Sequence, residues 1–306
     1  MTVAKSTILR RIKPMKENKL LRGLCVLTAA LMLGLTGCAS SSDTNGSDAQ
    51  SQAATAEVQS AWTELDQTTI TKEMGMGWNL GNQLEASNAG IPSETTWGNP
   101  TISEDLIKAV KEQGFKTVRI PVSYLDKIGA APDYTIDSAW LDRVQEVVDY
   151  VVGNDLYAII NIHGDGYYTV DKSWLRCVDD NQDEIKDKYE KVWAQIADRF
   201  KDYDQHLIFE SMNEESDNTY GKPNATGYEN INAYNQIFVD TVRKTGSNNE
   251  KRWLLIPGWN TNIEYPAGNY GFVIPTDSGC KADGNRLMIS VHYYDPYNFT
   301  IDENMA

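Results

Sequence analysis

The chain has 306 residues, 41% hydrophobic and 23% charged, with 28 Lys and Arg against 43 Asp and Glu for a net charge of −15. That balance supplies enough apolar material for a large core and excludes a disordered or fibrous chain. The strong negative charge excludes nucleic acid as a natural partner and suits a neutral substrate.

Seven Lys and Arg residues between Lys5 and Arg22 precede the apolar run LCVLTAALMLGL, Leu24–Leu35. The run is too short for a mature membrane-spanning helix and reads as an export signal. It ends in LTGC, Leu35–Cys38, which resembles a bacterial lipobox. Cleavage there removes residues 1–37 and leaves Cys38 as the lipid-modified first residue, anchoring the exported protein at a membrane or cell surface. Residues 38–60, rich in Ser, Asp and Gln, read as a flexible linker, and residues 61–306 as the folded domain. Cys177 and Cys280 also remain after cleavage, and spacing leaves open whether they pair.

Within 61–306, short apolar runs alternate with helical patterns, as in successive βα units on a parallel sheet. Six strands are expected, at Met76–Leu80, Thr117–Val122, Leu156–Ile162, His206–Met212, Arg252–Pro257 and Arg286–Tyr294. Thr101 and Glu104 form a capping box before Leu106, Ile107 and Val110, with Gly114 at the helix end. Three further stripes at helical spacing run Trp140 to Val151, Ile185 to Phe200 and Ile231 to Val242.

Such a chain folds as a (β/α)8 barrel or as an open doubly wound sheet. A barrel gathers its site from the ends of many strands, whereas an open sheet uses one switch point. Here polar residues close nearly every strand: Asn79 and Asn82, Arg119, His163 and Asp165, Asn213 and Glu214, Trp259 and Asn260, His292 and Tyr294. That distribution favours an α/β protein of the TIM-barrel class. Six of eight βα units are legible, so the chain is expected to be C-terminally truncated, with unpaired edges on its first and sixth strands.

The ordered segments GMGWNLGNQLEA, TVRIPVSY, INIHGDGYY, LIFESMNE and VHYYDPYNF resemble the family 5 glycoside hydrolases, in the bacterial endoglucanase branch. The resemblance runs from about Leu65 to the C-terminus. It implies hydrolysis of internal β-1,4 bonds in cellulose or a related β-glucan by a retaining, two-carboxylate reaction. Glu214 matches the family's acid/base and Asn213 the residue that binds the sugar 2-hydroxyl. Arg119, His163, His292, Tyr294 and Asn79 match its supporting positions. The family's nucleophile, a Glu at the end of the seventh strand, has no match, so this chain alone is expected to be inactive.

The residues support the same roles. Glu214 closes an apolar strand, where burial is expected to raise a carboxyl pKa toward a general acid's range. Arg119 lies in a strand too apolar for an unpaired guanidinium and must face a carboxylate. Glu210 is expected to be structural and Glu215 solvated. Gly164 stands where many relatives carry a second histidine. Trp97 in ETTWGNP is the leading candidate for a sugar-stacking platform, followed by Trp174 and Trp259.

Three histidines, His163, His206 and His292, give poor support for a metal site, and no metal or cofactor is expected. Two alternatives stay open. One is β-mannan, xyloglucan or mixed-linkage glucan as the substrate; the other is a lipid-tethered protein that binds polysaccharide without cutting it.

Overall fold

A computed structural model describes residues 61–219 and 221–302. The export signal, Cys38 and the linker lie outside the described residues. Six strands form one parallel sheet in the order β1-β4-β5-β6-β7-β8: β1 (Gly77–Asn79), β4 (Thr117–Ile120), β5 (Tyr157–Asn161), β6 (Leu207–Glu210), β7 (Leu254–Asn262) and β8 (Leu287–His292). All six expected strands are present, most of them shorter than the apolar runs that announce them.

Each strand is followed by a helix. These are α2 (Glu104–Glu112), α3 (Ser138–Val152), α4 (Gln182–Phe200), α5 (Ala225–Lys244) and the single turns α6 (Glu264–Ala267) and α7 (Tyr297–Thr300). Parallel neighbours joined in sequence order by helices make a curled half-barrel, six units of the (β/α)8 architecture. Among the described residues β1 and β8 end the row, and Trp78, Ile289 and Val291 on these strands are exposed.

Alternation along the strands builds two cores. Ala158 and Ile160 of β5, Leu207 and Phe209 of β6, and Leu254 and Ile256 of β7 pack with the helix stripes in the larger one. Tyr157, Ile159 and Ile208 point the other way and join Trp253, with Leu255 and Met288 against them. Helix α1 (Gln67–Met74), which the sequence reading missed, adds its buried Ile70 to this smaller core. Asp66 caps it, accepting from the Thr69 amide at 2.7 Å.

The α2 cap differs from expectation. Ser103, two residues after Thr101, is the N-cap and accepts from the Leu106 amide, while Gly114 adopts the left-handed backbone, φ 93°, expected just past the helix end. Thr101 lies before the helix and is exposed, so no capping box forms.

A buried arginine ties the sheet to α4. Arg252 donates to the carbonyls of Phe200, Tyr203, Asp204 and Leu207 at 2.7–3.1 Å and to Asn249 Oδ1 at 2.6 Å. It thereby satisfies acceptors at the end of α4 and in the turn into β6. Burial lowers its pKa to about 9.

Candidate active site

The carboxyl ends of β4, β5, β6 and β8 bring most of the sequence-predicted residues into one hydrogen-bonded network. Arg119 of β4 donates from Nε to Glu210 Oε2 at 2.7 Å, from Nη2 to Asn213 Oδ1 at 2.9 Å and from Nη1 to Asn79 Oδ1 at 3.1 Å. Glu210 is fully buried and also accepts from Asn161 Nδ2 at 2.9 Å and Ser290 Oγ at 2.6 Å. Its charge is paired and hydrogen-bonded, which is the condition for burying one. The structural role expected of Glu210 and the carboxylate expected to face Arg119 are therefore one interaction.

Glu214 follows β6 and accepts three bonds. His292 Nδ1 lies 2.5 Å from Oε1, Tyr294 Oη donates to Oε1 at 3.0 Å, and Tyr167 Oη donates to Oε2 at 3.0 Å. Burial pushes the Glu214 pKa up, but the bond and charge of His292, with the bonds from Tyr167 and Tyr294, outweigh it and leave the pKa below the ordinary 4.5. The expected elevation by burial is thus corrected. His292 arrives at the end of β8, 78 residues later, and Tyr294 just beyond it, where strand-local reasoning does not see them. Burial and the charge of Glu214 in turn raise Tyr294 to about 12.

His163, after β5, sits 3.3 Å from Asn161 Nδ2 through Nδ1. Burial, then the charges of Arg119 and His292, hold its pKa well below 6.5, so its imidazole is neutral. Among the described residues Asn79, on exposed β1, joins the network through its bond to Arg119.

The aromatic candidates separate. Trp97 is half exposed in the loop after β1, beside the two-residue strands β2 (Ser87–Asn88) and β3 (Ile91–Pro92), with its indole N–H on the Ser87 carbonyl at 3.0 Å. Among the described residues no hydrogen bond links it to the Glu214 network. Trp174 is partly buried, its N–H held by Asp165 at 2.7 Å and its ring beneath the Lys188 ammonium at 4.3 Å. Trp259 is a correction. Its ring is fully buried, packed on Tyr228 and Gly227 of α5, and cannot offer a sugar a free face.

Glu215 is a further correction. Expected in solvent, it is buried, and its Oε2 has no hydrogen-bond partner. A Cβ on Gly166 would land 1.6 Å from that oxygen, so only glycine admits the carboxyl there. Burial, then the charges of Asp165 and Glu214, raise its pKa well above the ordinary 4.5, which favours the neutral form. Asp165 itself accepts the Tyr124 amide at 2.9 Å and the Trp174 indole, and burial lifts it to about 6.

Tyr167 is a site residue the sequence reading missed. Its signal was position alone, a phenol four residues past His163 in INIHGDGYY. Cys177 and Cys280 are both free. Among the described residues no three His, Cys, Asp or Glu side chains form a cluster suited to a metal ion.

Comparison with known proteins assigns the architecture. The model for cellulase, glycosyl hydrolase family 5, matches residues 82–305. Endoglucanase A of Paenibacillus barcinonensis is 59% identical over 244 residues, covering 78% of this chain and 61% of that protein. A xyloglucan-specific endo-beta-1,4-glucanase of Bacteroides ovatus is 40% identical over 252 residues, covering 79% and 48%.

Among solved structures, a family 5 xyloglucanase from Paenibacillus pabuli in complex with ligand has a TM-score of 0.76 at 60% identity, over 77% of this chain and 67% of that one. A GH5-4 broad specificity endoglucanase from Ruminococcus champanellensis with bound cellotriose has a TM-score of 0.73 at 40% identity, over 81% and 71%. The chain spans 28% to 64% of the length of the first four curated relatives. It belongs to glycosyl hydrolase family 5.

Proposed function

We propose that this site binds the backbone of a β-1,4-glucan and that Glu214 donates the proton to the leaving glycosidic oxygen during hydrolysis. One observation carries the reading. Glu214 is held by three donors at the carboxyl end of a parallel sheet, where (β/α)8 enzymes keep their chemistry. Asn213, fixed by Arg119, is the candidate for the sugar 2-hydroxyl, and Trp97 the candidate platform. The family relationship and a neighbour described with bound cellotriose support a glucan chain as ligand. The 60% identical xyloglucanase places xyloglucan among the substrates to test.

A retaining reaction needs a second carboxylate about 5–5.5 Å from the acid. Among the described residues, the bonds leading from Glu214 reach one other carboxylate, Glu210, and three donors already hold it. We assign no attacking carboxylate among these residues. Reducing-sugar release from carboxymethylcellulose, xyloglucan, mixed-linkage glucan and mannan, alongside binding by affinity electrophoresis, tests the reading. Glucan cleavage lost in Glu214→Gln with binding retained supports it. Cleavage of mannan alone contradicts the substrate, and binding with no cleavage limits this chain on its own to glycan capture, as expected of a site without an attacking carboxylate.

Residues outside the described structure add a second proposal, an exported protein tethered through a lipid on Cys38. Cys38→Ser is expected to move the protein from the membrane pellet to the soluble fraction. A variant that still pellets contradicts the tether.

A further inference from the structure

We infer that Tyr167 is a positioning residue for Glu214: it binds Oε2 of the carboxyl and thereby leaves Oε1 as the oxygen that carries the proton to be transferred. The inference rests on the reading of Glu214 as proton donor.

Donor chemistry fixes the direction of each bond. The Arg119 guanidinium only donates, so the Asn213 atom facing it at 2.9 Å is the carbonyl Oδ1. The other half of that amide, Nδ2, therefore faces Tyr167 Oη and donates to it at 2.6 Å. An ionised carboxylate only accepts, so the 3.0 Å contact from Tyr167 to Glu214 uses the single phenolic hydrogen. Glu210, Arg119, Asn213, Tyr167 and Glu214 thus form one polarised chain with bonds of 2.7, 2.9, 2.6 and 3.0 Å. It starts on the buried carboxylate of β6 and ends on the candidate acid.

The two oxygens of Glu214 consequently differ. Oε2 meets a hydroxyl whose hydrogen already points at it. Oε1 meets Tyr294 Oη, a hydroxyl that can turn to accept as well as donate, and His292 Nδ1, whose role follows its tautomer. A proton added to Glu214 goes to Oε1. During transfer the Oε1–H bond breaks, its electron pair stays on the carboxylate, and the proton goes to the leaving oxygen. The new carboxylate keeps its bond from Tyr167, so the residue favours the ionised product of the step and holds the carboxyl plane through it.

The groups facing Glu214 are His292 at the end of β8, Tyr294 two residues beyond it, and Tyr167 from the turn after β5. Glu215 and Asn213 face it from the loop after β6, and Arg119 stands behind Asn213. Of these, Tyr167 alone joins Glu214 directly to the Arg119–Asn213 arm among the described bonds.

Tyr167→Phe keeps the ring and removes the bond. Carbon-13 titration of the Glu214 carboxyl in the full chain, assigned by its absence in Glu214→Gln, is expected to show an upward pKa shift in the variant, because one donor to the charged form is lost. An unshifted titration overturns the inference. Where the protein turns over an unactivated glucan, the variant is expected to lower kcat about tenfold with KM unchanged and to move the alkaline limb to higher pH; an unchanged limb overturns it.

If the variant does not fold, carbon-13 labelling of tyrosine ζ carbons in Tyr294→Phe serves instead. One tyrosine resonance should follow the Glu214 titration and lose that response when Glu214→Gln is added; no such resonance overturns the inference. The titrations need no turnover, so their failure is distinct from a failure of the hydrolase reading, which Glu214→Gln activity decides.

Discussion

Arg119 and Glu210 meet at 2.7 Å across the strand between them, with Asn161 of that strand completing the contact. The carboxylate that the guanidinium had to face is a buried one of the scaffold, and the remaining guanidinium nitrogens orient Asn213 and Asn79. Site geometry and fold stability are therefore coupled through one residue.

Glu210→Leu leaves that guanidinium without its charge partner in a largely buried position. Breaking such a pair costs about 3–5 kcal/mol. Urea unfolding should show a loss of that size, most of it recovered in Arg119→Met/Glu210→Leu. A loss below about 1 kcal/mol would mean that solvent or Asn213 suffices to hold Arg119.

Arg252 makes a different prediction because its partners are carbonyls. Arg252→Met strands acceptors in the turn after α4, each costing about 1–3 kcal/mol when left unsatisfied. A destabilisation of at least ~3 kcal/mol is expected by the same measurement. Activity toward any substrate per folded molecule should be unchanged, since the residue lies at the opposite, amino-terminal end of β7 from Glu214.

Glu215 and Asp165 set a pH dependence with a definite sign. Both are acids whose folded pKa is raised, by burial first. The folded state binds more protons than the unfolded state in this window, so the stability they contribute is full below their ordinary values of 4.5 and 3.8 and falls as pH rises. For Asp165 the fall is complete above about 6. Glu215, raised well above its ordinary 4.5, adds a decline that starts at that value, and Glu215→Gln should flatten the decline in Tm with rising pH. A wild-type Tm that rises from pH 6 to 8 with Glu215→Gln parallel to it contradicts neutral burial.

The strands and helix stripes were legible because alternation and 3.6-residue spacing are properties of adjacent residues. Leu207, Ile208 and Phe209 announced β6, and Trp193 and Phe238 their helices, before any contact was known. What was illegible depends on residues far apart. Whether Glu215 meets water is decided by Gly166, whose missing side chain makes room for the carboxyl. Trp259 looks like a loop aromatic until α5 closes over it. Glu214 sits in the apolar setting that raises a carboxyl pKa, yet His292 at the end of another strand, with Tyr167 and Tyr294, reverses the direction. The α2 cap moved from Thr101 to Ser103 because several residues in TISED could serve, and only packing chooses.

The role of Glu214 as proton donor is tested most directly by leaving-group dependence in Glu214→Gln. A general acid contributes about 10²–10⁴-fold when the leaving oxygen must be protonated, and little when it departs as a stable anion. In a form of the protein that cleaves glucan, the account predicts a loss of at least about 100-fold on β-1,4-glucan and a much smaller loss in the rate of dinitrophenolate release from an activated cellobioside. Equal losses on both substrates, or glucan cleavage within about tenfold of the unmutated protein, would contradict it.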